Sequence, residues 1–499
     1  MIAISPKMTE GIDRFAEEQL GIPTKLLMER AGLAVAKRVA ERIPVGGRVL
    51  ILAGGGNNGG DGYAAAIALA ERGYCAIVCD VLLRGQRSEA GRHFLTAYKR
   101  AVGEPISLDE AERWPHDCLV DAILGTGAHT PLSEALYPAA ALITRSSAYK
   151  IAVDLPLGAD AEDGLVDPHA VRVDETLMLG FPKYGLYSYP AREYVGRLML
   201  DDIGLDTRQV RALIGDSEHL CALSDIKALL PAREKNSHKG SFGHLLLLAG
   251  SRRYRGAPLM AAAAALRMGA GLCTLATCDE VCAAAAIALP ELILAPLSAH
   301  DDILPLCEGR SAILLGCGSG SDDVTAERTY TLLATEGAPL LLDADGINVL
   351  ATPEGRIRLA ETKRRVILTP HPAEFARLIG KDTATVQAER LPMARRFAAA
   401  YPHITLVLKG AATIVAEGER FAINQTGGPA LAKGGSGDVL AGAIASLLAT
   451  GLSPYDAARI GVCLHGAAGD RLESRYSPLG VRPTDLPSAM AEVLAGCLV

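Results

Sequence analysis

Two aspartates in this chain sit where almost nothing else has a side chain. Asp61 lies in GGGNNGGDG (54–62), and Asp438 ends the polar turn of AKGGSGDVLAG (432–442). A glycine-rich turn that opens a helix presents free backbone N–H groups to negative charge, so each loop suits a phosphate or a developing anion. In the first loop Gly54, Gly56 and Gly59 satisfy G-x-G-x-x-G, with Asp80 at the end of the next strand for a ribose hydroxyl. Asp61 resists that reading, because a carboxylate inside the loop repels a pyrophosphate unless something offsets its charge. Asp438 stands in the first turn of an apolar helix, where an acceptor hydroxyl would lie. Phosphoryl transfer passes through a loose transition state, so a modest carboxylate suffices to take the proton late. Simple helix capping is the plainer alternative for Asp438, and the surrounding glycines disfavour it.

Other polar residues gather at the ends of apolar runs, where open parallel sheets bind ligands. In the first half these are DAILGTG (121–127), VDLPLGADAEDG (153–164) and GFPKYGLY (180–187). Asn58 and Asp121 offer oxygens that suit a hard alkali cation, although Asp121 alone reads equally as a loop-capping carboxylate. In the second half LVLKGAATIV (406–415) places Lys409, Gly410 and Thr413 where phosphates can be held. LTPHPAEF (368–375) fixes His371 between two prolines, as a phosphate or substrate contact or as an ordinary loop histidine. LGCGSG (315–320) is a third glycine turn, and DADGIN (343–348) offers Asp343 and Asp345 to Mg²⁺ through water or to loop structure.

The elements that must position these groups are legible as period and composition. A chain of 499 residues with 49% apolar and 21% charged residues is globular and needs two or three domains. Aromatics are only 4%, so the cores are built from aliphatic residues, as in helices packed on parallel sheets. The runs 48–53, 75–83, 118–124, 150–154 and 175–180 read as strands with helices between them, and Lys25–Arg42 is an amphipathic helix. A mixed-charge stretch, LDTRQVRALIGDSEHLCALS, reads as a connector. Seven further apolar runs follow between 243 and 410, then a hairpin edge (ATIVAEG, ERFAIN) and long terminal helices. The domains expected are therefore 1–212 and 224–499, joined by 213–223. Neither contains a P-loop signature.

A formal charge of −7 with a pI near 5.9 argues against nucleic acid as the main partner. No signal peptide or membrane-spanning run is visible. The 11 cysteines lack zinc spacing, and read as small buried thiols of a cytoplasmic protein.

The first half resembles the NAD(P)H-hydrate epimerase domain, formerly the YjeF N-terminal family. The resemblance rests on LMERAG (27–32), GGGNNGGDG, VDAILGTG, VDLP and GFPKYGL. It implies a Rossmann-like three-layer α/β/α sandwich that binds hydrated NADH or NADPH. The substrate contacts implied are Asn57, Asn58, Gly59, Gly60 and Asp61, then Gly125, Thr126, Gly127, Ala128, His129, Thr130 and Pro131, with Asp154 and Lys183. It also implies a K⁺ site at Asn58 and Asp121. The family's serine three residues after Asp154 is Leu157 here, which can offer only its backbone carbonyl, and its arginine after GTG is Thr130. Epimerisation that is weak, or that lacks a strong K⁺ requirement, is expected.

The second half resembles the NAD(P)H-hydrate dehydratases of the ribokinase-like superfamily. Its ordered motifs are KNSHKGSFGHLLLLAGS, YRGAPLMAAAAALRMGAGL, LGCGSG, DADGIN, TPHPAEF, KGAAT and GGSGDVLAG. The resemblance implies a ribokinase-like α/β domain. It assigns Ala257, Gly320, His371 and Asp438 to the hydrate, with Asp438 catalytic. Lys409, Gly410, Ala411, Ala412, Thr413 and Gly437 would hold ADP with Mg²⁺. One departure is Cys317, where the family often has proline. Together the halves imply a homo-oligomeric repair enzyme that epimerises hydrated NAD(P)H and dehydrates one epimer at the expense of ADP. Three other readings stay open: a vitamin or sugar kinase, a nucleotide-binding or partner-docking protein, and, last, a dehydrogenase.

Overall fold

Alternating aliphatic residues in RVLILA send Val49 and Ile51 to one face of a strand and Leu50 and Leu52 to the other, and all four are buried. A strand buried on both faces needs helices above and below it, and this pattern repeats through both halves of the chain. The structure, a computed structural model, describes residues 2–81, 87–128, 130–214 and 219–498. The chain divides into two units, Ile2–Glu218 and His219–Val499.

The first unit has six parallel strands: β1 (Arg48–Ala53), β2 (Cys75–Asp80), β3 (Cys118–Ala122), β4 (Tyr149–Val153), β5 (Glu175–Leu179) and β6 (Arg197–Asp201). Their spatial order is β2-β1-β3-β4-β5-β6. Val49, Ile51, Val120 and Val153 pack with the helices Thr24–Ala40 and Asn57–Glu71, while Leu50, Leu52 and Leu119 pack with the helix Tyr137–Arg145. These two apolar layers make the expected three-layer sandwich. Each fully buried aliphatic side chain contributes roughly 1.5–3 kcal/mol.

The second sheet has ten strands: β7 (Leu220–Cys221), β8 (His244–Leu248), β9 (Leu272–Thr277), β10 (Ile293–Pro296), β11 (Ala312–Leu315), β12 (Leu340–Leu342), β13 (Val366–Leu368), β14 (Ile404–Leu408), β15 (Ile414–Glu417) and β16 (Arg420–Asn424). Their order is β10-β9-β8-β11-β12-β13-β14-β15-β16-β7. Only β15 runs antiparallel to its neighbours. The helices Gly256–Arg267, Ser436–Ala449 and Pro454–Gly480 bury one face of this sheet.

Three elements differ from the sequence expectation. The connector is structured at both ends: the helix Thr207–Ile214 buries Val210 and Ile214 beside Ile12 and Phe181 in the first unit. Beyond it β7 pairs in parallel with β16, so the β15–β16 hairpin is not the sheet edge. A third element, β6, was absent from the expected strands; its RLMLD run is half-exposed and lacks a continuous apolar signature.

In both sheets the strand order reverses once. After β1 the chain moves out to β2 and returns to β3 on the other side; after β8 it moves out to β9 and β10 and returns to β11. The crevices beyond β1/β3 and beyond β8/β11 are therefore the natural ligand positions.

Candidate active sites

The first crevice is a cleft of about 400 Å³. Asn57, Asn58 and Asp61 reach it from the start of the helix Asn57–Glu71, which follows β1, and Gly125, Thr126, Gly127 and Ala128 from the loop after β3. Gly59 and Gly60 belong to the same helix start but serve packing: a Cβ at Gly59 would lie 1.9 Å from the Gly54 carbonyl oxygen, and one at Gly60 2.4 Å from the Met28 sulfur. Thr130 and Pro131 are not among the cleft's lining residues, and His129 lies outside the described residues.

At the cleft floor Lys183, 1% exposed, donates to Asp154 Oδ1 at 2.5 Å and to the Leu179 carbonyl at 2.7 Å. Asp154 is held at φ +68, where the Leu179 N–H also donates to its Oδ1 at 3.2 Å. Burial pushes the Asp61 carboxyl well above the usual range; Asp154 and Asp13 push it further and Lys183 opposes them. The charge that seemed to bar a pyrophosphate is thereby disfavoured, because burial and the neighbouring carboxylates favour the protonated form. Asp80, the residue available to a ribose in a dinucleotide fold, is instead ion-paired with Arg87, which also donates to the Gly54 carbonyl at 3.0 Å.

The residues expected around K⁺ are already engaged. Asp121, fully buried, accepts the N–H groups of Leu157 at 2.7 Å and Ile123 at 3.2 Å, and burial raises its carboxyl to about 6. The Leu157 side chain is buried in an apolar cluster and its carbonyl accepts the Val171 N–H at 3.0 Å. The Asn58 amide nitrogen donates to the carbonyls of Leu124 at 2.7 Å and Val153 at 3.1 Å.

In the second crevice Asp438 lies in the first turn of the helix Ser436–Ala449, which starts from Gly435 at φ +103, a conformation that favours glycine. Ligand atoms of Asp438, Asp343 and Cys317 all fall within 4.8 Å of one another. The Cys317 thiol donates to Asp343 Oδ2 at 3.7 Å, and Lys409 Nζ and Thr369 Oγ1 donate to Asp343 Oδ1 at 2.8 and 2.6 Å. Burial raises Asp438 to about 6, with repulsion from Asp343 next and Cys317 and Lys409 opposing. Burial also pushes the Cys317 thiol well above its usual value. For Lys409 the lowering effect of burial is outweighed by the carboxylates of Asp343 and Glu374, so the ammonium is held charged.

The remaining expected residues converge here. A Cβ on Gly437 would lie 3.3 Å from Lys409 Nζ, and one on Gly318 3.0 Å from the Ala257 Cβ. Gly320 N–H donates to Asp345 Oδ2 at 2.8 Å, so Asp345 shapes the third glycine turn. His371 caps the helix Pro372–Ile379: its Nδ1 accepts the N–H groups of Ala373 at 3.1 Å and Glu374 at 3.2 Å. That leaves the Nε2 proton to a ligand or to Glu374 Oε1, 3.4 Å away, and burial lowers the ring's basicity. Gly410–Thr413 forms the turn after β14, with Ala412 at φ +51 and Thr413 Oγ1 donating to the Gly410 carbonyl at 2.9 Å.

Two chains of known family align with nearly all of this one. The bifunctional NAD(P)H-hydrate repair enzyme of Coxiella burnetii is 34% identical over 479 residues, 95% of this chain and 96% of its own. That of Escherichia coli is 34% identical over 496 residues, 97% of this chain and 92% of its own. The chain belongs to this family. Family models place a "YjeF-related protein N-terminus" over residues 24–185 and an "NAD(P)H-hydrate dehydratase" over 245–492. Among solved structures, the ADP/ATP-dependent NAD(P)H-hydrate dehydratase of Bacillus subtilis, co-crystallised with ATP/Mg²⁺, matches with a TM-score of 0.51 and 30% identity, covering 57% of this chain and 100% of its own.

Sequence reasoning missed Asp13, which lines the first cleft and is raised to about 6, chiefly by burial and also by Asp154, against the pull of Lys183. Its helix, Pro6–Gln19, was legible from Ser5, whose hydroxyl accepts the Met8 N–H at 3.2 Å, and from Pro6 in the first turn. The thiol contact of Cys317 was also missed, because only its backbone was expected to matter.

Proposed function

We propose that the chain restores hydrated NADH and NADPH: the unit Ile2–Glu218 interconverts the epimers, and the unit His219–Val499 dehydrates the S form. The observation that carries this is the position of Asp438, a carboxylate on a glycine-opened helix beside the Lys409–Asp343 pair.

ADP transfers its terminal phosphoryl group to the hydrate's ring hydroxyl, while Asp438 takes the hydroxyl proton. Hydroxide leaves poorly but phosphate leaves well: the ring nitrogen's lone pair expels it, and the iminium so formed loses a proton from the adjacent ring carbon to give the ring double bond. The products are AMP, phosphate and the reduced dinucleotide. Lys409, the Gly410–Thr413 turn and the Gly437 N–H bind the nucleotide phosphates and draw off charge as it develops. Ala257, Gly320 and His371 hold the hydrate against Asp438. Asp343 and Asp345 already accept from Lys409, Thr369, Gly320 and Ser321, so they would hold Mg²⁺ bound with the nucleotide through water, and the ion would neutralise the phosphate oxygens. ADP is favoured over ATP by the fused arrangement of the two domains.

In the first unit Asn57, Asn58, Asp61, Gly125–Ala128, Asp154 and Lys183 bind the hydrate. The donor set fits K⁺ poorly: Asp121 holds two backbone N–H groups and Leu157 brings no side-chain oxygen. Weak, K⁺-insensitive epimerisation is therefore expected. Homo-oligomerisation and a cytoplasmic location complete the reading.

The test is incubation of the whole chain with hydrated NADH and ADP. Regained near-ultraviolet absorbance with one phosphate and one AMP per turnover supports dehydration. A stable phosphorylated product means a kinase and overturns the proposal.

A further inference from the structure

The first cleft is lined by two carboxyls, Asp13 and Asp61, from the helices Pro6–Gln19 and Asn57–Glu71. Neither has a hydrogen-bond or ion-pair partner among the described residues. Asp154, by contrast, is committed: Lys183 and the Leu179 N–H both donate to its Oδ1.

The start of the chain fixes Asp13 beside the segment that supplies Lys183. Ile4 pairs in parallel with Lys183: its N–H donates to the Pro182 carbonyl at 2.8 Å, and the Tyr184 N–H donates to the Ile4 carbonyl at 3.4 Å. Ser5 then caps the helix, and Ile12 and Ala16 are buried with Leu27, Phe181 and Val210. Thr9, Glu10 and Asp13, at helical spacing, line the cleft. The Asp13 side chain is half-buried, so a ligand in the cleft can reach it.

Depth sets the two acids apart. Asp61 is the deeper, and burial with its neighbours favours its protonated form. Asp13 is raised to about 6, by burial first, with Lys183 opposing and Asp154 and Glu10 adding. The charged groups around it are thus Lys183, Asp154 and Asp61 on other elements and Glu10 on its own helix. Two carboxyls whose surroundings differ in this way supply an acid and a base at one pH.

Epimerising a ring hydroxyl beside a nitrogen uses both. An acid passes its proton to the hydroxyl as the carbon–oxygen bond breaks; the ring nitrogen's lone pair closes an iminium, and water leaves. Water then adds to the other face, a new carbon–oxygen bond forms, and a base takes the proton that this water loses. We infer that Asp13 is that base, a catalytic residue of the epimerase, with Asp61 as the acid, and that the two exchange roles in the reverse direction. Water in the cleft returns the proton from Asp13 to Asp61 between turnovers. The inference rests on the epimerase reading above and adds its proton acceptor.

The test follows the appearance of the S-hydrate of NADH from the R-hydrate by chromatography, with the whole chain and no ADP. Asp13→Asn is expected to lower kcat about 10²-fold while KM stays within about threefold of wild type. Its melting temperature and its dehydration of the S-hydrate with ADP should match wild type. The base works only when ionised, so wild-type kcat climbs with pH up to about 6 and then levels, and Asp13→Asn lacks that limb. Where Asp13→Asn melts early, Asp13→Glu decides: partial recovery of kcat supports the base, and none overturns it. An Asp13→Asn rate equal to wild type, or a loss confined to KM, overturns the role of Asp13 and leaves the epimerase reading intact. A wild-type rate no faster than the spontaneous one overturns the epimerase reading itself, and this role with it.

Discussion

The two crevices use the same electrostatic device with different access to solvent. Each pairs a buried lysine with an aspartate, Lys183 with Asp154 and Lys409 with Asp343, and sets a further carboxylate beside the pair. In each, burial with a neighbouring carboxylate raises that acid, Asp61 in one and Asp438 in the other. Asp61 is nearly inaccessible and its carboxyl is pushed well above the usual range, whereas Asp438 is partly open and is raised only to about 6, so it ionises near neutrality. The same arrangement thus favours the protonated form more strongly in one place and leaves a usable base in the other, and depth of burial sets the difference.

That contrast is most sharply tested at Asp438. Asp438→Ala is expected to lower dehydration about 10³-fold, the usual scale for losing a positioned base, while ADP binding measured by calorimetry persists. Next, Lys183→Met strands Asp154 as a buried unpaired charge, which costs about 3–5 kcal/mol. The first unit should melt earlier in calorimetry and epimerisation should vanish, while dehydration by the same chain continues. Leu157→Ser removes a fully buried aliphatic side chain at a cost of about 2–4 kcal/mol, seen in denaturant titration, and adds an oxygen near Asp121. Epimerisation by that variant should become K⁺-responsive; a response identical to wild type breaks the account of the first site.

The smallest expected effect concerns pH. Asp438 acts as a base only when ionised, so the dehydration rate climbs with pH up to about 6 and then levels. Asp343→Asn removes a repulsion that raises Asp438, and should move this acid limb downward. A limb that moves upward means that Asp343 does not act on Asp438 in this way.

Most of the strand framework and both glycine turns were legible, because apolar period and glycine spacing are local properties. Asp438, Lys409 and His371 were readable for the same reason: each sits within a motif of a few residues. The ion pairs were not, since Lys183 and Asp154 are 29 residues apart and Lys409 and Asp343 are 66 apart. Only the parallel pairing of β12 through β14 and of β4 with β5 brings those partners to one end of a sheet. Asp13 escaped notice because its helix contributes to the cleft through tertiary packing that no local pattern encodes. The short β7 pairs with β16, some 200 residues later, through backbone groups that carry no side-chain signature.

That two-residue strand has a practical consequence for anyone dividing the molecule. A fragment beginning at 224 lacks Leu220 and Cys221, and would expose the outer N–H and C=O groups of β16 as a template for other chains. Cut there, the catalytic half should precipitate or self-associate; begun at 219, it keeps its sealed margin.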